Sequence, residues 1–288
     1  MPDLILASAR RLPRPVPETD LLVAALDAVG LSAQVRAWDE PLDWAEIPLV
    51  VVRTPWDYAG RHGEFLQWTR HVAEVSRLLN PAPLIEWNSH KGYLVELADK
   101  GAAVLPTALV RRDASPGRQA EALRASGTGE VVIKPAVGVG GHGALRSPAD
   151  DPRAADHLAA LTREGDALIQ PFAPSVLADG EISLLYFGGR FSHAVRKVPA
   201  SGEYRVHEHH GGSVLDHTPD SQERAVAEQA LGLAPETTGY ARVDLVRTAS
   251  GPAVMELELI EPELFLTRDA GAASRFAEVL AGHAGARR

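Results

Sequence analysis

Residues 131–148 read Val131-Val132-Ile133-Lys134-Pro135-Ala136-Val137-Gly138-Val139-Gly140-Gly141-His142-Gly143-Ala144-Leu145-Arg146-Ser147-Pro148. The β-branched run before Lys134 is a buried strand. Gly138, Gly140 and Gly143 then satisfy G-x-G-x-x-G. A dinucleotide fold needs a helix to begin on that loop, so that its N-terminus holds a pyrophosphate, and an acidic residue ~20 positions later for the ribose. Here residues 144–148 read as a short strand cut off by Pro148, so the loop is a hairpin tip and the dinucleotide reading fails. No G-x-x-x-x-G-K-[ST] occurs, which excludes a P-loop. What remains is a flexible glycine turn whose backbone N–H groups can approach phosphate oxygens, with Lys134 beside it as a point charge. The alternative is a loose surface turn, and the glycine density next to Ile-Lys-Pro favours phosphate.

Further along, Arg242-Val243-Asp244-Leu245-Val246 and Val254-Met255-Glu256-Leu257-Glu258-Leu259 read as strands joined by a Ser250-Gly251-Pro252 turn. Side chains alternate with period two, so Arg242 and Asp244 share one face, and Glu256 and Glu258 share one face of their own strand. Paired, these strands bring three carboxylates together, which is unfavourable without a cation between them. Oxygen-only ligands suit Mg²⁺ or Mn²⁺. A solvated acidic hairpin is the alternative, equally weighted by itself; the upstream phosphate element tips the balance toward the metal.

Upstream, strands over 4–7, 33–37 and 49–53 alternate with a helix over 21–29, capped by Asp20 and stopped at Gly30, and a long helix over 63–79 stopped by Asn80-Pro81. That βαβ rhythm predicts a parallel sheet with ligands beyond the strands' carboxyl ends. Trp56-Asp57-Tyr58 lies at such an end, as a substrate wall or an ordinary turn with an aromatic anchor. A helix over 91–100 closed by Gly101, a strand-helix unit ending at 126–129, a hairpin turning at Gly188-Gly189, a helix over 220–231 and a closing helix over 274–280 complete the chain.

Composition narrows the function. The 288 residues carry 29 Lys+Arg against 38 Asp+Glu, a net charge of −9, so nucleic acid is not bound through bulk charge. Hydrophobic residues at 45% and charged ones at 23% are those of a globular protein of two or three domains. The absence of cysteine removes disulfides, thiolate nucleophiles and Cys-based zinc sites, and points to the cytoplasm. No apolar run approaches the ~18 residues of a membrane span. His207-Glu208-His209-His210 is not H-E-x-x-H, because Gly211 stands where the second His belongs; it reads as a polar loop after Arg205. Arg10-Arg11 and Arg287-Arg288 read as solvated charge.

Taken in order, the early Lys91, the strand-borne Ile133-Lys134-Pro135 with its glycine hairpin, Gln170-Pro171-Phe172, and Asp244 followed by Glu256-x-Glu258 resemble the ATP-grasp superfamily of ligases over residues 88–262. Trp87-Asn88, Asp179-Gly180-Glu181, Tyr204-Arg205-Val206 and the Glu256 to Pro262 segment are most similar to the cycloserine-forming O-ureidoserine cyclo-ligases and their glutathione-synthetase-like relatives. The resemblance implies an α/β N-terminal substrate domain over 1–90, an α+β lid domain over 91–168, and a C-terminal antiparallel-sheet domain over 169–288. It implies that Lys91 and Lys134 contact the ATP phosphates under a lid of Gly138, Gly140, Gly141 and Gly143, that Gln170, Phe172 and Ala173 offer backbone hydrogen bonds to adenine, and that Glu181 holds the ribose. Asp244, Glu256 and Glu258 would carry Mg²⁺ or Mn²⁺. Arg242 would face the transferring phosphoryl group, with Arg205, Gly212 and Ser213 on the acceptor side. Many ATP-grasp enzymes have Asn where Glu258 stands. The implied partner is a small-molecule carboxylate, with neither nucleic acid nor membrane involved, and a homodimer stays open. An intermolecular amino-acid ligase and a nucleotide-binding regulatory module remain the alternatives to ring closure.

Overall fold

The computed structural model describes residues 1–127 and 129–285; Thr128 and the Arg287-Arg288 pair lie outside the described residues. These residues form three sheets. The first is fully parallel, in the order β2-β1-β3-β4, from β1 (Leu4–Ser8), β2 (Ala33–Ala37), β3 (Leu49–Thr54) and β4 (Arg77–Leu79). β1 and β3 are buried along their whole length, as expected of parallel strands covered on both faces. Leu4, Leu6, Leu49 and Val51 pack to one side with Leu22 and Leu26 of α1 (Pro17–Ala28). Ile5, Val50 and Val52 pack to the other with Phe65, Trp68 and Val72 of α2 (His62–Val75).

Two boundaries differ from the sequence reading. α1 starts at Pro17 with no side-chain cap, and Asp20 sits inside its first turn; proline pre-sets the first helical φ, and an early acid complements the helix dipole. α2 ends at Val75, because Ser76 is extended and its Oγ donates to the Ile47 carbonyl at 2.5 Å. Arg77–Leu79 then pairs with β3. A short apolar strand directly after an amphipathic helix continues its hydrophobic pattern, so periodicity cannot separate them.

α3 (Ala82–Asn88) and α4 (Tyr93–Asp99) lead into an antiparallel sheet, β5-β8-β6-β7, from β5 (Ala108–Val110), β6 (Glu130–Pro135), β7 (Leu145–Pro148) and β8 (Ala167–Pro171). Its apolar face is closed by Leu123 of α5 (Pro116–Ala125) and by Ala154 and Leu158 of α6 (Pro152–Glu164). The division expected at 168/169 falls inside β8, which belongs wholly to this sheet.

After α7 (Ser175–Ala178) comes the third sheet, antiparallel, in the order β11-β10-β9-β12-β13. Its strands are β9 (Glu181–Phe187), β10 (Arg190–Val198), β11 (Ser213–His217), β12 (Tyr240–Thr248) and β13 (Gly251–Glu258). α8 (Ser221–Gly232), opened by an Asp220/Glu223 capping box, and α9 (Ala272–Gly285) cover it.

β13 is an edge strand, and its free backbone edge is satisfied rather than exposed. Asn88 donates to the Leu257 carbonyl and accepts from the Leu259 N–H, both at 2.8 Å, and the Leu257 N–H donates to the Tyr93 hydroxyl at 3.0 Å. The segment after β13 is held to the parallel sheet by a buried ion pair, Arg53 with Glu18 at 2.9 Å. Arg53 also donates to the Pro262 carbonyl, and Glu18 accepts the Leu264 N–H. These contacts fix the carboxylate hairpin between the N-terminal sheet and the glycine turn. No helix among the described residues is long and apolar enough to cross a membrane.

Candidate active site

β12 and β13 pair with Thr248 opposite Gly251, but with Asp244 opposite Glu256 and Arg242 opposite Glu258. The register shifts by one between Asp244 and Leu245, leaving Met255 as the extra residue of a β-bulge. Without that shift in register Asp244 would oppose Met255. The bulge therefore sets Arg242, Asp244, Glu256 and Glu258 on one face.

Each acid on that face meets a cation. Arg242 donates twice to Asp244, both bonds at 3.0 Å, and also binds Glu258. Lys197 on β10 bridges Asp244, at 3.1 Å, and Glu181 on β9. Lys91 binds Glu256 at 2.6 Å and the Gly138 carbonyl at 2.9 Å. Ser183 donates to Asp244 at 2.5 Å. Burial works against ionisation of Asp244 and Glu256, yet Arg242 and Lys197 hold Asp244 well below the usual carboxylate range, and Lys91 and Lys134 hold Glu256 at about 2. Glu258 goes the other way: burial, reinforced by Glu256 and Asp244, pushes its carboxyl up to about 8. Burial likewise lifts Glu261 to about 7, against the pull of Lys91 and the nearby Tyr58 hydroxyl.

Asp244, Glu256 and Glu258 thus share a face but do not close on one point, and among the described residues no three metal-type ligands form a ready cage. The reason is that Lys91, Lys197 and Arg242 project onto the same half-buried surface, where a carboxylate takes the nearest cation. The donor set nevertheless fits a hard divalent cation: it is all oxygen, two members oppose each other directly, and the raised Glu258 and Glu261 are carboxyls that the protein's own cations do not keep ionised, as a bound metal ion would.

Lys134 has no hydrogen-bond or ion-pair partner among the described residues, and burial lowers its pKa. A lysine without a partner, on the strand that feeds the glycine turn, is placed for a ligand anion. Gly140, Gly141 and Gly143 all have positive φ, at 60°, 70° and 73°, which side chains disfavour. At the hinge, Gln170 is buried and donates to Thr107 at 3.0 Å, leaving its Oε1 without a partner among the described residues. The Phe172 N–H is used by the Glu130 carbonyl at 2.8 Å, so it is not free for a base. The Phe172 ring instead stacks under the Arg146 guanidinium, 3.7 Å away. Ala173 packs with Leu105, Val176, Val206 and Val246, and Met255 leans on that cluster, an apolar seat joining the hinge to the hairpin.

Of the N-terminal trio, Tyr58 is buried against Phe65 and directs its hydroxyl toward Glu261. Asp57 is taken up by Trp38 at 3.0 Å and Arg61 at 3.3 Å, inside its own domain. Trp56 sits under Arg14, which pairs with Glu263 at 3.0 Å on the rim. Arg205 is clasped by Glu203 at 2.7 Å and holds that carboxyl at about 2. Gly212 closes the turn that follows, where an added Cβ would meet the Val206 carbonyl at 2.3 Å; Ser213 is exposed at the start of edge strand β11. Sequence reasoning gave no role in the site to Lys197, Ser183, Glu261 or Tyr93. The hairpin turn at Gly188-Gly189 could have paired Lys197 with its partner, but a bulge between Phe191 and His193 moves the count by one, onto Glu181.

A glycine-turned lid sheet, a five-stranded antiparallel sheet carrying an Arg-x-Asp and Glu-x-Glu hairpin, and a lysine from each flank define an ATP-grasp ligase. The family model described as "Prokaryotic glutathione synthetase, ATP-grasp domain" matches residues 100–246, and "D-cycloserine synthetase DcsG, N-terminal domain" matches residues 4–80. The chain is 37% identical over 280 residues to the cycloserine biosynthesis protein DcsG of Streptomyces lavendulae, covering 90% of this chain and 91% of that one. A crystal structure of D-cycloserine synthetase DcsG superposes with a TM-score of 0.87 at 34% identity, over 98% of this chain and 99% of that one. D-alanine–D-alanine ligase of Bacillus anthracis, at 13% identity and a TM-score of 0.72 over 98% and 96% of the two chains, shares the fold. A probable alpha-L-glutamate ligase of Pseudoalteromonas atlantica is 29% identical over 166 residues, 56% of this chain and 52% of that one. The chain belongs to the D-cycloserine synthetase DcsG family of ATP-grasp enzymes. It is an ATP-dependent carbon–nitrogen ligase, and a divalent metal ion comes with that membership.

Proposed function

We propose that the enzyme closes an O-ureido-serine into a cycloserine-type ring, with Mg²⁺ as the metal, in the cytoplasm. A carboxylate is a poor electrophile. Transfer of the γ-phosphoryl group of ATP makes it an acylphosphate, which the substrate's own ureido nitrogen attacks. Asp244, Glu256 and Glu258 would hold the metal ion, which when bound neutralises phosphate charge. Lys91 and Lys134 balance the remaining negative charge, Arg242 lies beside the transferring group, and the glycine turn keeps water from the intermediate. Met255, Val246 and Ala173 offer an apolar face to adenine. Binding needs only part of this apparatus, so a cluster with four cationic side chains around five carboxylates argues for turnover rather than for a regulatory module.

The observation that carries ring closure is that the likeness to D-cycloserine synthetase runs through the N-terminal domain as well as the ATP-grasp part. That domain contributes Tyr58 to the carboxylate cluster. ADP release with Mg²⁺ or Mn²⁺, measured across a panel of amino-acid carboxylates with products weighed by mass spectrometry, tests the reading. Turnover of an O-ureido-serine to a ring lighter by one water, with the carbamoyl group retained, or lighter by one water and that carbamoyl group as isocyanic acid, which water converts to carbon dioxide and ammonia, supports it; a product heavier than either substrate makes the enzyme an intermolecular ligase.

A further inference from the structure

The loop over 199–212 joins β10 to β11 and meets the glycine turn of the lid sheet. The Tyr204 hydroxyl donates to the Ala144 carbonyl at 3.2 Å. A Cβ placed on Gly141 would lie 3.5 Å from His207 Cε1 and 3.6 Å from Arg205 Cδ; one on Gly140 would lie 3.7 Å from His209. His207 therefore stands at the seam between the lid turn and the antiparallel sheet. Its backbone is fixed, since its carbonyl accepts from the His210 and Gly212 N–H groups at 2.9 and 3.1 Å.

The imidazole is not accounted for by the fold. Its Nδ1 is buried and has no hydrogen-bond partner among the described residues, an unfavourable state unless something fills it. The charged groups facing the ring are Lys197 of β10, Arg242 of β12, Glu256 of β13 and its loop neighbour His209. A ring between those cations and the lid glycines lies where a phosphorylated carboxylate and its attacking nitrogen would meet.

We propose that His207 is a catalytic residue that accepts the proton of the attacking nitrogen during ring closure. The proposal rests on the acylphosphate reading above. The nitrogen lone pair forms the N–C bond at the carboxyl carbon while the N–H proton moves to Nδ1. The C–O bond to the phosphoryl group breaks, phosphate leaves with the electron pair, and His207 returns its proton to that phosphate. Burial, with Lys197 and Arg242 alongside, lowers the ring's pKa and keeps it neutral, and the negative charge of an acylphosphate placed between the ring and those cations would raise its basicity toward neutral pH.

His207→Gln and His207→Ala are compared with wild type and with His209→Gln in three assays: ADP release, trapping of the acylphosphate as a hydroxamate by hydroxylamine, and cyclised product by mass spectrometry. Hydroxylamine is largely unprotonated at neutral pH and needs no enzymic base. Hydroxamate formation should stay within about threefold of wild type in both His207 variants, while ring closure falls about a hundredfold or more. Added imidazole should restore part of it in His207→Ala, and His209→Gln should cyclise normally. Unchanged ring closure overturns the proposal, as does an equal fall in hydroxamate and cyclisation, which would put His207 in phosphoryl transfer or in folding. Absence of hydroxamate from wild type would overturn the acylphosphate reading, and this proposal with it.

Discussion

Lys197→Met tests whether the cations of the site hold it together as well as serve it. Lys197 is 4% exposed and lies 3.1 Å from Asp244, with Glu181 on its other side. At that distance, with an effective dielectric constant of about 20, one such pair is worth about 5 kcal/mol before desolvation is counted. Removing the ammonium group saves its own desolvation but strands the buried Glu181 and takes one of two cations from Asp244, which keeps Arg242, and breaking a buried pair from one side costs about 3–5 kcal/mol. For a chain this long the unfolding entropy converts that loss to a Tm lower by about 5–8 °C. The paired variant Lys197→Met with Glu181→Leu should recover much of the loss, because a buried ion pair replaced on both sides by apolar groups is often neutral. Lys197 also has its pKa raised, since the pull of Asp244 and Glu181 outweighs burial. Its contribution is therefore fully present below pH 10.5 and is lost only as the pH rises through the higher folded value. Thermal melts and urea titrations of both variants at neutral pH provide the measurement. A Tm within a degree of wild type for Lys197→Met, or losses that simply add in the double variant, would refute the charge-balance argument.

Lys134→Met should leave stability within about 1 kcal/mol, since its ammonium group makes no hydrogen bond or ion pair among the described residues and Glu256 keeps Lys91 as its direct partner, yet lower ATP turnover at least about a hundredfold; unchanged ADP release would remove Lys134 from the phosphate site. Glu258→Gln should flatten the stability–pH curve: with its folded value raised from 4.5 to about 8, wild type loses stability as the pH rises through that window, and the glutamine variant lacks that part of the slope. Melting temperatures between pH 5 and 9 without nucleotide would detect this, and identical slopes would contradict it. Asn88→Ala strips the Leu257 carbonyl and Leu259 N–H of their partners and should cost about 2–3 kcal/mol in denaturant unfolding.

The sequence revealed the strand-turn-strand around Lys134, both C-terminal hairpins and the parallel rhythm of the first third because each rests on local signals: β-branched runs, glycine turns and period-two alternation. What stayed hidden depends on one-residue offsets and on distant partners. The β10 bulge that brings Lys197 opposite Glu181, and the β13 bulge that brings Glu256 opposite Asp244, leave no local mark, since an extra residue in a strand looks like any other. The carboxylates were legible as a group together with Arg242, but the pairing of Lys197 with Asp244 and of Lys91 with Glu256 was not: these partners lie 47 and 165 positions apart. Likewise α2 and β4 share one apolar pattern, and only the Ser76 bond to Ile47 separates them.

That same separation explains how the site can be both tight and responsive. Arg242, Asp244, Glu256 and Glu258 sit on one bulged hairpin and keep their geometry whatever the lid does. Lys91, Lys134 and the glycine turn come from the segment over 91–143, and Lys91 ties the acids to the glycine turn, through Glu256 and the Gly138 carbonyl. A nucleotide phosphate entering between them would compete with Glu256 for Lys91 and would add negative charge beside a Glu258 already pushed up to about 8. Without an added cation, phosphate and an ionised Glu258 therefore disfavour each other, and the carboxyl would stay protonated. A divalent ion changes that balance on the same sheet face: held by Asp244, Glu256 and Glu258, it would favour the ionised carboxylates and the phosphate together.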